Sequence, residues 1–60
     1  MTPNDEKVLT ALADAEQSVE ELMMNTGLHA DAVNFTLGRL SINGQVQRQY
    51  DNGVLLWRLA

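Results

Sequence analysis

Sixty residues are enough for one domain only, and at that length folding hides roughly 60% of the surface that the unfolded chain exposes. There is no cysteine and one histidine, which excludes disulfide staples, thiolate metal sites and multi-histidine metal sites and leaves the core to aliphatic residues plus Phe35, Tyr50 and Trp57. The net charge of −4 is unevenly spread: Asp5, Glu6, Asp14, Glu16, Glu20 and Glu21 against Lys7 give −5 over residues 1–29, while Asp31 and Asp51 against Arg39, Arg48 and Arg58 give +1 over residues 30–60. Only the C-terminal half is suited to approach a phosphate backbone.

Thr2-Pro3 followed by Asn4-Asp5-Glu6 is a helix start, with a hydroxyl to cap, a proline tolerated in the first turn and acids where the helix dipole favours them. Helix 1 is expected from about Pro3 to Ala13, with Val8, Leu9 and Leu12 as its apolar stripe and Asp5, Glu6 and Lys7 toward solvent. Ser18-Val19-Glu20-Glu21 is a capping box that starts helix 2 at Val19. Its core side is Val19, Leu22 and Met23, and Asn25-Thr26-Gly27 ends it. Leu28 is the apolar residue of the following turn, His29 stands at the N-cap position, and helix 3 runs from about Ala30 to Asn43, stopped by Gly44. Val33, Leu37 and Leu40 define its buried face.

After Gly44 the period changes from helical to two, and Asn52-Gly53 supplies a type I′ turn. That turn sets a register in which Asp51 faces Val54, Tyr50 faces Leu55, Arg48 faces Trp57 and Val46 faces Leu59. Val46, Arg48, Tyr50, Leu55, Trp57 and Leu59 then share the expected core face, with Gln47, Gln49, Val54, Leu56 and Arg58 on the other. The fold class is α+β: three helices followed by a two-stranded antiparallel hairpin, as a single domain over residues 1–60. No linker, repeat or low-complexity segment interrupts it. No apolar run approaches the roughly 20 residues of a membrane span. The opening residues lack the basic start and apolar centre of a signal peptide, so the cytoplasm is the expected location.

The run Thr26-Gly27-Leu28-His29-Ala30-Asp31-Ala32-Val33, continued by Leu37-Gly38-Arg39-Leu40 and Asn43-Gly44-Gln45-Val46, resembles the winged helix-turn-helix superfamily. There a pattern of the form T-G-L-S-x-x-x-V-x-x-x-L-x-x-L-x-x-x-G-x-V joins the recognition helix to the first strand of the wing. His29 replaces the usual small cap, and Gln45 replaces a common apolar residue. Among members, the chain is most similar to the small C-terminal winged-helix domain of the bacterial DNA-processing protein A family or to the DNA-binding domain of a transcription regulator, bacterial or phage. The resemblance implies double-stranded DNA as partner, with helix 3 in the major groove and the hairpin on the backbone or in the minor groove.

Carried onto this sequence, that docking mode makes His29, Asn34, Arg39, Arg48 and Arg58 the candidate DNA-contacting residues. At 100° per residue Asp31, Asn34, Phe35, Gly38 and Ile42 point outward, with Arg39 on one flank. Asn34 suits adenine and Arg39 phosphate or guanine, whereas Asp31 repels phosphates, so binding is expected to be weak and salt-sensitive. Phe35 and Ile42, seven residues apart, form a second apolar strip, which leaves open a protein-binding or homodimeric surface built from Phe35, Ile42, Val54 and Leu56. Ile42 tucked under the wing and Phe35 covered by Met24 or a loop is the structural alternative. Arg48 opposite Trp57 invites a cation–π pair.

No catalytic constellation is present, and no cofactor or small-molecule substrate is implied. Ser18 is explained by its capping role, adjacent Glu20 and Glu21 diverge by about 100° and cannot flank one bond, and the four glycines are dispersed.

Overall fold

The first two helices begin where their cap chemistry places them. A computed structural model describes residues 1–60, in the order α1 (Pro3–Asp14), α2 (Val19–Thr26), α3 (Ala30–Ile42), β1 (Val46–Asp51) and β2 (Val54–Leu59). Thr2 caps α1 through a reciprocal pair: the Asp5 N–H donates to Thr2 Oγ1 at 3.2 Å and the Thr2 N–H to Asp5 Oδ2 at 3.0 Å. Ser18 and Glu21 repeat the device on α2, at 3.2 and 2.9 Å. Gly27, at φ 76°, closes α2 in the left-handed region with its N–H on the Met23 carbonyl. The hairpin has the register expected from the turn, from Asp51 opposite Val54 to Val46 opposite Leu59, with Asn52 and Gly53 both at positive φ.

Val8, Leu12, Leu22, Val33, Leu37, Leu40, Val46 and Trp57 form one apolar core, with Leu9, Val19, Met23 and Leu28 packed at its edge. Val46 and Trp57 confirm which side of the hairpin faces the helices. Nearer the tip that face opens to solvent, with Tyr50 70% exposed and Arg48 exposed, and at the far end of the strand pair Leu59 is exposed too. Phe35 is 71% exposed, so of the three aromatic residues expected in the core only Trp57 is there. Phe35 lies off the buried strip of α3, and Tyr50, paired with Leu55 near the turn, lies beyond the Trp57 pair that packs on the helices. No helix is long and apolar enough to cross a membrane.

Three polar residues are buried with the core: Asp5, Gln17 and Thr36. Asp5 corrects an expectation. It points inward rather than toward solvent, 4% exposed, because it lies one turn before Val8 on the same stripe of α1 and its charge is met there by the Arg39 guanidinium from α3. One carboxylate oxygen accepts from Arg39 and the other from the Thr2 N–H. These bonds hold the Asp5 carboxyl below its ordinary value of 3.8, against the opposing effect of burial.

Gln17 supplies a contact that the two-stranded description omits. Its backbone pairs with Trp57 in an isolated antiparallel bridge, N–H to carbonyl in both directions at 2.9 and 2.7 Å. Its side-chain amide donates to the Ala11 and Ala15 carbonyls at 2.6 and 3.2 Å and accepts from Asn25 at 2.6 Å. One residue thus terminates α1, links it to α2 and anchors the second wing strand.

Replacing Gln17 by Ala removes three side-chain hydrogen bonds, to Ala11, Ala15 and Asn25, and is expected to cost about 1–3 kcal/mol in urea unfolding followed by Trp57 fluorescence. A change within about 0.5 kcal/mol would show the network to be dispensable. The Asp5 pair gives a pH signature. With its folded-state value below 3.8, Asp5 stabilises the fold fully above that pH, and the contribution drains away as pH falls through the lowered value. Melting temperature is therefore expected to fall as pH drops from about 5 towards 2, and Asp5→Asn to start lower and follow a flatter acid limb. Parallel profiles for the two proteins would exclude the pair as a source of acid sensitivity.

Candidate nucleic-acid interface

The core strip of α3 is Val33, Thr36, Leu37 and Leu40, at i, i+3, i+4 and i+7, so the opposite strip is left to solvent. Asp31, Asn34, Phe35, Gly38 and Ile42 are all exposed, in agreement with the helical projection. Ile42 is 87% exposed and Met24 is exposed as well, so neither the wing nor α2 covers the Phe35 and Ile42 strip. A Cβ on Gly38 would meet no atom within 4 Å, which leaves the α3 backbone open to approach at that point.

The five residues singled out for DNA contact do not form one cluster. His29 is exposed at the N-cap position of α3; its carbonyl accepts from the Val33 N–H at 3.0 Å, but its side chain makes no capping bond. Asn34 lies on the outward face one turn further on. Arg48 and Arg58 are exposed on the hairpin, yet on opposite faces, since Arg48 pairs with Trp57 and Arg58 with Gln47. Arg58 Nη2 reaches Gln47 Oε1 at 3.4 Å.

Arg39 is the residue whose surroundings differ most from a free phosphate contact. Its guanidinium is bonded to Asp5, its Nε is buried without a hydrogen-bond partner, and its Cζ stands 5.9 Å from the Phe35 ring centroid. This is the cation–π contact of the chain, in place of the one anticipated between Arg48 and Trp57, which are opposed in register but not stacked. The half-buried guanidinium is thus held between a carboxylate and an aromatic ring.

Of the apolar candidates, Phe35 and Ile42 are exposed, Val54 is exposed near the hairpin tip, and Leu56 is half-buried. The buried polar residues Gln17 and Thr36 are not among the residues that the sequence marks out, and Asp5 is marked for the wrong side. Asp5 and Thr36 have a signal in the sequence, since each continues an apolar stripe at helical spacing; Gln17 has none.

This arrangement recurs in known proteins. Residues 2–52 match the family model of the DprA winged helix domain. No curated protein matches the sequence. By structure the chain is similar to the transcriptional repressor BigR from Xylella fastidiosa, with a TM-score of 0.94 and 25% identity over 98% of this chain and 58% of that one. It is similar also to Rv0081 of Mycobacterium tuberculosis, at 0.88 and 27% over 98% of this chain and 60% of that one. A variant of ZitR from Lactococcus lactis in complex with DNA shares the fold, at 0.89 and 21% over 100% of this chain and 43% of that one. The chain therefore spans about three fifths of the length of BigR and Rv0081, and less of ZitR. A capped three-helix core closed by a hairpin, matched over most of its length, makes this chain a member of the DprA winged helix domain family.

Proposed function

We propose that residues 1–60 act as one DNA-binding module, with α3 entering the major groove and the hairpin meeting the backbone. The observation that carries this reading is the open outward strip of α3, flanked by a hairpin bearing Arg48 and Arg58, in a chain whose acidic residues lie mostly on α1 and α2. BigR, similar over nearly the whole of this chain, is a transcriptional repressor, and ZitR, similar in fold, is seen in complex with DNA. Fold likeness alone does not transfer a site, so the residue roles rest on the geometry.

Arg48 and Arg58 are assigned to phosphates and Asn34 to a base edge, with His29 at the entrance of the helix. Arg39 is assigned a smaller share, because Asp5 already occupies its guanidinium. With two freely disposed arginines, log K is expected to fall against log salt with a slope of about −2. Arg48→Ala and Arg58→Ala should each weaken binding to duplex DNA and reduce that slope by about 1, read by fluorescence anisotropy. Absence of binding at low salt would sink the proposal. Arg39→Ala is uninformative by itself, since it strands the buried Asp5 carboxylate and lowers stability.

The exposure of Phe35 and Ile42 favours a second reading, association with another copy of the chain. It is expected to appear as concentration-dependent sedimentation that Phe35→Lys abolishes without loss of helical circular dichroism. A monomer at all concentrations would remove it.

A further inference from the structure

The outward strip of α3 has an unusual inventory for a groove-reading helix. It offers an amide at Asn34, an aromatic ring at Phe35, a bare backbone at Gly38 and an alkyl group at Ile42, together with the carboxylate of Asp31. It offers no free cation, because Arg39, the one basic residue of α3, is bonded to Asp5 and stacked beside Phe35.

That inventory selects among base pairs. A G·C pair is read in the major groove chiefly by an arginine or lysine on guanine O6 and N7. An A·T pair presents adenine N6 and N7 to an asparagine and a C5 methyl to an apolar side chain. Asn34 and Phe35 are neighbours on α3 and supply both of the latter groups. Asp31 does not discriminate, since adenine and cytosine each display an amino donor to a carboxylate.

We propose, building on the DNA-binding reading above, that α3 selects A·T-rich duplex sites through Asn34 on adenine and the Phe35 ring on the thymine methyl, and that Asp5 protects this choice by keeping Arg39 from guanine. Phe35 is thereby a specificity-determining residue rather than a misplaced core residue. Asp5 is a positioning residue that acts through Arg39: in the titrations below, Asp5→Asn is expected to raise affinity for the G·C duplex relative to the A·T-rich one, and an unchanged ratio would overturn that role.

The test is a set of anisotropy titrations of the 60-residue chain at fixed low salt with three duplexes: one A·T-rich, its G·C counterpart, and the A·T-rich duplex with uracil in place of thymine. The A·T-rich duplex is expected to bind tighter than the G·C duplex by about fivefold or more. Loss of the methyl in the uracil duplex should cost about threefold. Phe35→Ala, a change at an exposed position, should abolish the uracil penalty while the protein still binds, and Asn34→Ala should narrow the A·T over G·C preference.

Equal affinity for A·T and G·C duplexes, or a uracil penalty that persists in Phe35→Ala, overturns this inference and leaves DNA binding standing. Failure to bind any of the three overturns both. Failure accompanied by self-association that Phe35→Ala removes overturns both in favour of a second copy on this face.

Discussion

α3 has to be half inside the protein and half outside it, and the other elements are arranged around that division. Its inner strip, Val33, Thr36, Leu37 and Leu40, is buried in the core with Val8 and Leu12 of α1, Leu22 of α2, and Val46 and Trp57 of the hairpin. Two short helices alone would leave one flank of that strip wet, and the hairpin supplies the missing wall. The Gln17 to Trp57 bridge fixes the hairpin at the α1 to α2 junction, so the wing is tied to the body through β2 as well as through the chain that leads from α3 into β1. The outer strip of α3 is consequently presented on a rigid element, and Asn34 and Phe35 reach solvent from a backbone whose position is set by packing.

The Asp5 to Arg39 pair joins this architecture to its electrostatics. A buried carboxylate is tolerated only with its lone pairs satisfied, and here a capping N–H and a guanidinium share the task. The pair ties the first turn of α1 to the last turns of α3. It also engages one of the three arginines in a chain that carries eight acids, so the fold uses a cation on which the proposed DNA binding would otherwise draw. The same guanidinium stands 5.9 Å from the Phe35 ring centroid, so the pair reaches the outward strip of α3 as well.

The local devices were legible in the sequence because each is written in adjacent residues. Ser18 with Glu21, Gly27, and the Asn52-Gly53 turn with its register are short-range chemistry, and the stripe Val33, Leu37, Leu40 is short-range periodicity. Asp5, expected toward solvent, and Thr36, for which no placement is expected, are harder to read for a different reason: their residue types argue for the surface, whereas their spacing from Val8 and Leu12, and from Val33 and Leu40, argues for the interior. Spacing prevailed because a partner, for Asp5, arrives from 34 residues away. Gln17 has neither spacing nor type to mark it, and its role exists only once Trp57 is beside it. The exposure of Phe35 was legible from the helical projection, but the cation beside it was not, since Arg39 had first to be drawn to Asp5.

Charge distribution limits how such a module can meet a duplex. Five of the eight acids are on α1 and α2, which pack against the buried strip of α3 and not against its outward one. The molecule measures 32 × 23 × 21 Å. At physiological salt, where the Debye length is about 8 Å, charge on the far side is largely screened, and the arginines of the near side act almost alone. In dilute salt the screening length of about 30 Å exceeds the thickness of the domain, and the rear acids then offset the arginines. Lowering the salt thus strengthens attraction and repulsion together, which flattens the expected salt dependence at its low end and leaves the proposed uncharged contacts of Asn34 and Phe35 as the part of recognition that ionic strength would not tune.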